Sequence, residues 1–374
     1  YLADMLAADC ELAQNAIIAL PTEDDAAQEY RALGCQVEIW KWARLVHLAR
    51  THTNFQRVVN THTRGVQFAR QRMRALRADI VVTNSENIWF GGMAARSLRL
   101  PHLQVFHALT LEHHWGARPK MVRTYLRWLQ TWSQRFIGVS QTVAQMLRRN
   151  GVAEERISVV SNGLNLQAVC AASYQPLPSG VERQIQGRTP LLTTLGRISA
   201  MKGHDLLIPV VAEVKRTFPN VLCLVGGAIL SSEGVEDTNA FTADLKRNIA
   251  ALELESNILF LDEIDYAPAL LRGADVYVQP SRTESFCRAV VEALTCGTPV
   301  AAFAAGALPE VVGMGGLLAP PEDVHALAEA VLCLLTDETL RAKTIAAGQK
   351  HIRSFDVKYS TAALRRLLAE IDQP

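Results

Sequence analysis

The chain has 374 residues, enough for two domains with a core each, and its 49% apolar and 20% charged content describes an ordered globule, not a disordered or fibrous chain. No apolar run approaches the ~20 residues a membrane-spanning helix needs, and the most apolar stretch, residues 290–320, is broken by Glu292, Pro299, Pro309 and Glu310. A formal charge of +1 excludes a generally basic nucleic-acid binder but hides an asymmetry: residues 1–165 hold 20 Lys and Arg against 13 Asp and Glu, the remainder 18 against 24.

All six Trp also fall in the basic part, from Trp40 to Trp132, so the two parts read as separate domains with different ligands. The seven cysteines are odd in number and never spaced Cys-x-x-Cys. That pattern argues against a disulfide framework and a zinc site, and for a reducing, cytoplasmic setting. His113 and His114 beside Glu112 make a poor metal site, because adjacent histidines in regular structure face apart.

Residues 1–13 read as an amphipathic helix with no strand and no initiator Met before it, and residues 16–20 as an apolar strand. A doubly wound domain opens with a strand and a glycine-rich turn. Neither is found here, so the expectation is a chain that lacks its first strand. Further strands are expected at 34–40, 79–84, 103–107, 136–140 and 157–161, with His107 at the C-terminal end of its strand, where open α/β sheets bind ligands. Helices are expected at 60–78, which is dense in Arg, at 87–98 and at 142–149. The basic, aromatic stretch 119–136 puts Arg123 and Arg127 on one helical face and Leu126, Leu129 and Trp132 on another. With helix 60–78 it suits an anionic membrane surface or a phosphorylated lipid, although an ordinary amphipathic helix packed on its own domain explains the same pattern.

Residues 166–188 lose periodicity and collect Pro176, Pro178, Gly180 and Gly187, the mark of an interdomain linker. Alternation resumes at 191–196, 221–226, 258–262, 276–279 and 298–303, and a helix at 358–371 ends the chain. The expected domains are therefore 1–165, a linker 166–188, a second domain 189–355 and a terminal helix within 356–374.

Two motifs in the second domain carry chemistry. The strand that ends at Gln279 is stopped by Pro280; Glu284 lies in the following turn, and Phe286, Ala289, Val290, Ala293 and Leu294 recur at helical spacing until Gly297. If that helix starts near Phe286, Glu292 stands roughly 9 Å along the axis from its N-terminus. Such a terminus favours phosphate, so one carboxylate at its mouth and one deeper could grip hydroxyls on either side of a diphosphate. Upstream, Gly196-Arg197-Ile198 and Lys202-Gly203 follow the strand that opens the domain. A guanidinium forks onto phosphate oxygens and an ammonium adds a point charge.

Residues 281–310 resemble the Glu-x7-Glu signature of retaining GT-B glycosyltransferases of family 4 (glycosyl transferases group 1). The likeness includes Cys296-Gly297-Thr298-Pro299-Val300 and Gly306-x-x-Pro309-Glu310, and the Gly-Arg-x and Lys-Gly motifs match as well. It implies an α/β fold of GT-B type, with two Rossmann-like doubly wound parallel-sheet domains facing across a cleft and the last helix crossing back to the first domain. It implies transfer of a sugar from a nucleotide-diphosphate sugar to a glycan or lipid-linked acceptor, with no cofactor and no metal.

By the same resemblance Arg197 and Lys202 contact the diphosphate, Glu292 the ribose hydroxyls, and Glu284 and His107 the donor sugar. Gly196, Ser285, Phe286 and Cys287 complete the donor-binding turns. The retaining route it implies is a front-face displacement in which the leaving phosphate oxygen takes the acceptor proton. The chain departs from the family at Cys287, where a glycine is usual, and in the Gly-Gly turn it lacks near its start. The alternatives are a GT-B sugar-nucleotide epimerase and a non-catalytic nucleotide-binding protein. A glycosidase is a poor reading, because its two carboxyls flank one bond and need no cationic partner. Peripheral contact of the basic helices with the inner face of a membrane is the alternative to their ordinary packing on the first domain, which the pattern favours, and nucleic-acid binding is not expected.

Overall fold

The computed structural model describes residues 1–40, 55–109, 119–228 and 238–371. Contacts divide the chain into two units, Tyr1–Gly163 with Val357–Pro374, and Leu164–Asp356.

In the first unit β1 (Ile17–Leu20) and β2 (Gln36–Ile39) pair in parallel, while β3 (Val81–Thr83), β4 (His102–Phe106), β5 (Arg135–Gly138) and β6 (Ile157–Val159) form a parallel sheet in that order. β4 is buried along its whole length, as a central parallel strand covered on both faces must be. In the doubly wound order 3-2-1-4-5-6 one strand joins two such flanks. Here they stand as two sheets, and Ile17 on β1 and Val82 on β3 remain 36% and 40% exposed.

Helix Phe55–Ala75 buries Gly65, Ala69 and Met73, each four residues from the last, while its Arg64, Arg70 and Arg74 stay exposed. Ala69 and Met73 pack with Trp40, Phe90 and Ala94, and Arg72 reaches Glu38 of β2 at 2.7 Å. The single helix expected over 1–13 is two, Leu2–Ala7 and Cys10–Asn15, because the Asp9 carboxylate accepts from Leu12 N–H (3.0 Å) and starts a new helix. Helix Pro119–Leu129 buries Val122, Leu126 and Leu129 and exposes Arg123 and Arg127. It ends short of 136, since Arg135 already begins β5 and Ser133 turns back to His102. Residues 112–114, weighed above as a metal site, lie outside the described residues. The last helix, Val357–Ile371, joins this unit: Thr361 donates to Met5 O and Arg365 forks onto Asp9 and reaches Glu11 at 2.9 Å.

The second unit holds β7 (Leu191–Leu195), β8 (Leu222–Gly226), β9 (Ile258–Phe260), β10 (Val276–Gln279), β11 (Val300–Phe303) and β12 (Gly316–Ala319). All pair in parallel in the order β12-β11-β10-β7-β8-β9. β12 was not anticipated, being four residues long and opened by glycine. The segment expected as a linker is instead built into this unit as helices Leu166–Ala172 and Ser179–Ile185. Asn165 caps the first, and Val181 of the second packs on Leu222, Leu224 and Leu270. Helices of seven residues make under two turns, too few for a period to show in sequence. Among the described residues no helix is long and apolar enough to cross a membrane, and no cluster of three His, Cys, Asp or Glu is arranged to hold a metal.

Candidate functional site

The strand order of the second unit reverses at β7, which has β8 on one side and β10 on the other. Chain leaving β7 and β10 at their C-terminal ends therefore diverges to opposite faces, and ligands of open α/β sheets bind in the crevice this leaves. Both sequence motifs lie there, Gly196 to Gly203 after β7 and Pro280 to Cys287 after β10.

Two glycines bring these loops together. Gly203 has φ +70°, and a Cβ on it would stand 1.8 Å from Pro280 O. Gly306 has φ +58°, and its Cβ would stand 2.2 Å from Glu284 O. The first contact seats the Lys202 loop on the turn after β10, and the second seats Glu284 against the loop after β11. Ser199 Oγ accepts from Lys202 N–H and caps the short 3-10 turn Ala200–Lys202.

Lys202 Nζ donates to Glu284 Oε1 at 2.5 Å. The same oxygen accepts from Ser281 Oγ at 2.8 Å and Gln279 Nε2 at 3.1 Å. The Tyr277 hydroxyl donates to Gln279 Oε1 at 2.5 Å, which turns the amide nitrogen toward Ser281 and Glu284. Glu284 is 8% exposed, and these donors take the place of water around its Oε1. Burial alone pulls the Lys202 pKa down, but the Glu284 carboxylate outweighs it and the net shift is upward. The ammonium is therefore charged throughout the neutral range.

Arg197 is exposed, and among the described residues its guanidinium has no ion-pair partner; its positive field acts on Lys202. Arg282 forks onto Asp205 at 2.9 and 2.7 Å, and reaches Glu322 at 3.0 Å and Ala200 O at 2.5 Å. Those bonds tie the Glu284 turn to the Lys202 loop and hold the Arg282 pKa above its usual value.

The helix after the turn spans Arg288–Thr295, two residues later than expected. Cys287 is its N-cap, at φ +78°, in the left-handed region that favours glycine. Among the described residues no side-chain hydrogen bond caps this terminus. Burial pushes the Cys287 thiol well up, so it is no nucleophile. Phe286 is not at the surface of the site: it is 1% exposed, its ring edge-on to Phe355 with centroids 5.2 Å apart. Its apolar side chain is drawn into the core. Ser285 and Glu292 are half-buried, and the later helix start puts Glu292 about 6 Å along the axis from the N-terminus.

The structure thus brings Lys202, Glu284 and Arg197 to one end of the sheet, with Gly196 behind them and the helix start beside them. His107 belongs to the other unit, where it follows β4. The sequence reading missed Tyr277, Gln279, Ser281 and Arg282. One signal was available: Gln279 is a polar residue closing a buried apolar strand, and such a residue requires a partner.

The description "Glycosyl transferases group 1" matches residues 181–351, and "Glycosyltransferase Family 4" matches residues 16–168. The chain is 30% identical over 239 residues to the D-inositol 3-phosphate glycosyltransferase of Corynebacterium glutamicum, a match covering 62% of this chain and 56% of that protein. It is also 30% identical over 247 residues to the phosphatidyl-myo-inositol mannosyltransferase of Mycobacterium leprae, covering 64% and 60%. The chain thus matches little more than half the length of these relatives. Among solved structures, Anabaena HepE in complex with UDP-glucose superposes with a TM-score of 0.77 at 22% identity, over 99% of this chain and 95% of that one. Sucrose-phosphate synthase from Thermosynechococcus elongatus gives 0.74 at 21%, over 98% and 91%. Matched along both units by the two descriptions, and sharing this fold, the chain belongs to the group 1, family 4 glycosyltransferases of GT-B fold.

Proposed function

We propose that the chain transfers a glycosyl group, with retention at the anomeric carbon, from a nucleoside-diphosphate sugar to a hydroxyl of a glycan or lipid-linked acceptor. The observation that carries this reading is the Lys202–Glu284 pair beside Arg197 at the strand-order reversal of the second sheet. The two cations and the uncapped helix terminus neutralise the departing diphosphate. Glu284 orients the sugar, and Glu292, one turn into the helix, accepts from the ribose. The leaving phosphate oxygen takes the acceptor proton, so no dedicated base is required. HepE was crystallised with UDP-glucose, and the Mycobacterium leprae relative is described as acting on phosphatidyl-myo-inositol. These descriptions support a sugar nucleotide as donor and a lipid-linked acceptor, the latter approached through the exposed Arg123 and Arg127.

A panel of nucleoside-diphosphate sugars, read by thermal unfolding and product analysis, tests the proposal. A donor at 100 times its dissociation constant stabilises the chain by about 2.7 kcal/mol. The expected product keeps the donor's anomeric configuration. Inversion at the anomeric carbon refutes the retaining route. Return of an epimerised donor selects the epimerase, and binding without turnover selects a binding protein.

A further inference from the structure

His107 follows β4 and Asn84 follows β3, its neighbour, so parallel pairing delivers both side chains to the C-terminal edge of the first unit's sheet. Asn84 Oδ1 lies 2.6 Å from His107 Nε2. An amide oxygen only accepts, so this contact requires the ring proton on Nε2.

The loop that carries Asn84 is clamped. Gln104 Nε2 donates to Ser85 O at 2.5 Å, and the Tyr125 hydroxyl donates to Glu86 O at 2.5 Å. His107 itself is held at the backbone, its N–H donating to Glu86 Oε2 at 3.1 Å, and Glu86 is only 4% exposed. The Tyr1 ring stands edge-on to the imidazole, with centroids 5.0 Å apart at 77°. Among the described residues Nδ1 has no partner.

We propose that Asn84 is a positioning residue: it fixes His107 as the Nε2–H tautomer and leaves Nδ1 as an acceptor for a substrate hydroxyl that reaches this edge of the first unit's sheet. This rests on the glycosyl-transfer reading above. Burial lowers the His107 pKa to about 4, so the ring is neutral at pH 7 and only the two tautomers compete. The other tautomer presents a donor at Nδ1 and selects a carbonyl or phosphate oxygen instead. The reverse orientation of the Asn84 amide would favour that tautomer, and ring-nitrogen spectra separate the two.

The test uses the whole chain with ¹⁵N-labelled histidine rings at pH 7.5, His107 being assigned through His107→Gln. The expected spectrum shows Nε2–H and an unprotonated Nδ1. Asn84→Leu releases the ring to sample both tautomers and lowers kcat/KM for UDP-glucose or GDP-mannose by roughly three- to tenfold, the worth of one hydrogen bond. Asn84→Asp keeps an acceptor oxygen and restores both the spectrum and most of the rate. A ring protonated at Nδ1, or an Asn84→Leu chain with an unchanged spectrum, overturns the proposal. The spectra need no substrate. A fixed Nε2–H ring in a chain that turns over no nucleotide sugar therefore overturns the functional reading and upholds the tautomer lock.

Discussion

If Lys202 holds the donor diphosphate as proposed, Glu284 and that diphosphate compete for one ammonium, and this makes a prediction of counterintuitive sign. Replacing Glu284 by Gln keeps the oxygen that accepts from Ser281 and Gln279 but removes the charge 2.5 Å from Lys202 Nζ. A phosphate seated on Lys202 stands about 5 Å from Glu284; in a site between water and protein interior the repulsion is worth roughly 1–2 kcal/mol. Glu284→Gln is therefore expected to tighten UDP, which carries no sugar to be oriented, by about five- to thirtyfold, while glycosyl transfer from the corresponding donor falls. Lys202→Met removes a charge-assisted bond worth about 2 kcal/mol and weakens UDP by roughly thirtyfold. Titration calorimetry with UDP, run on both variants at fixed ionic strength, reads the two effects in opposite directions. If Glu284→Gln weakens UDP, or Lys202→Met leaves it unchanged, Lys202 is not the diphosphate's cation and the reasoning fails.

Two further outcomes follow from the geometry. His102 is fully buried between Thr83 Oγ1 and Ser133 Oγ, and burial lowers its pKa to about 3. Its folded pKa lies below the unfolded value, so the stability it contributes is complete above about pH 6.5 and is lost as pH falls toward 3; by pH 5 the loss is about 2 kcal/mol. His107 and His204 are lowered too and act in the same direction. Urea midpoints followed from pH 7 to pH 5 should fall less steeply in His102→Gln, and an identical slope refutes the assignment. Separately, Gly203→Ala sets a Cβ 1.8 Å from Pro280 O at a positive φ and should cost more than about 3 kcal/mol or displace the Lys202 loop. Calorimetric unfolding together with UDP binding checks it; wild-type values for both would show that the loop contact is dispensable.

Much of the fold was legible because its signals are local. Apolar runs of four to five residues bounded by Pro, Gly and Asn marked most strands, and His107, Lys202 and Glu284 each fell just beyond a strand end. Local signals failed where the structure is short or contested. The helices Leu166–Ala172 and Ser179–Ile185 are too brief to show a period, and Asp9 divides what looked like one helix. Phe286 fits the helical spacing but precedes the helix, because Cys287 is left-handed and packing against Phe355 decides where the ring goes.

By itself the sequence determined the alternating strands and helices, the eight-residue spacing of Glu284 and Glu292, and the cations after β7, since each is written in neighbouring residues. Only the tertiary structure decided that Lys202 and Glu284, 82 positions apart, share a hydrogen bond, that Tyr277 orients Gln279 toward them, and that Asn84 meets His107. Those pairings arise from strand order and register, which bring together strand ends far apart in the chain. Side-chain pattern names the strands but does not say which of them lie side by side.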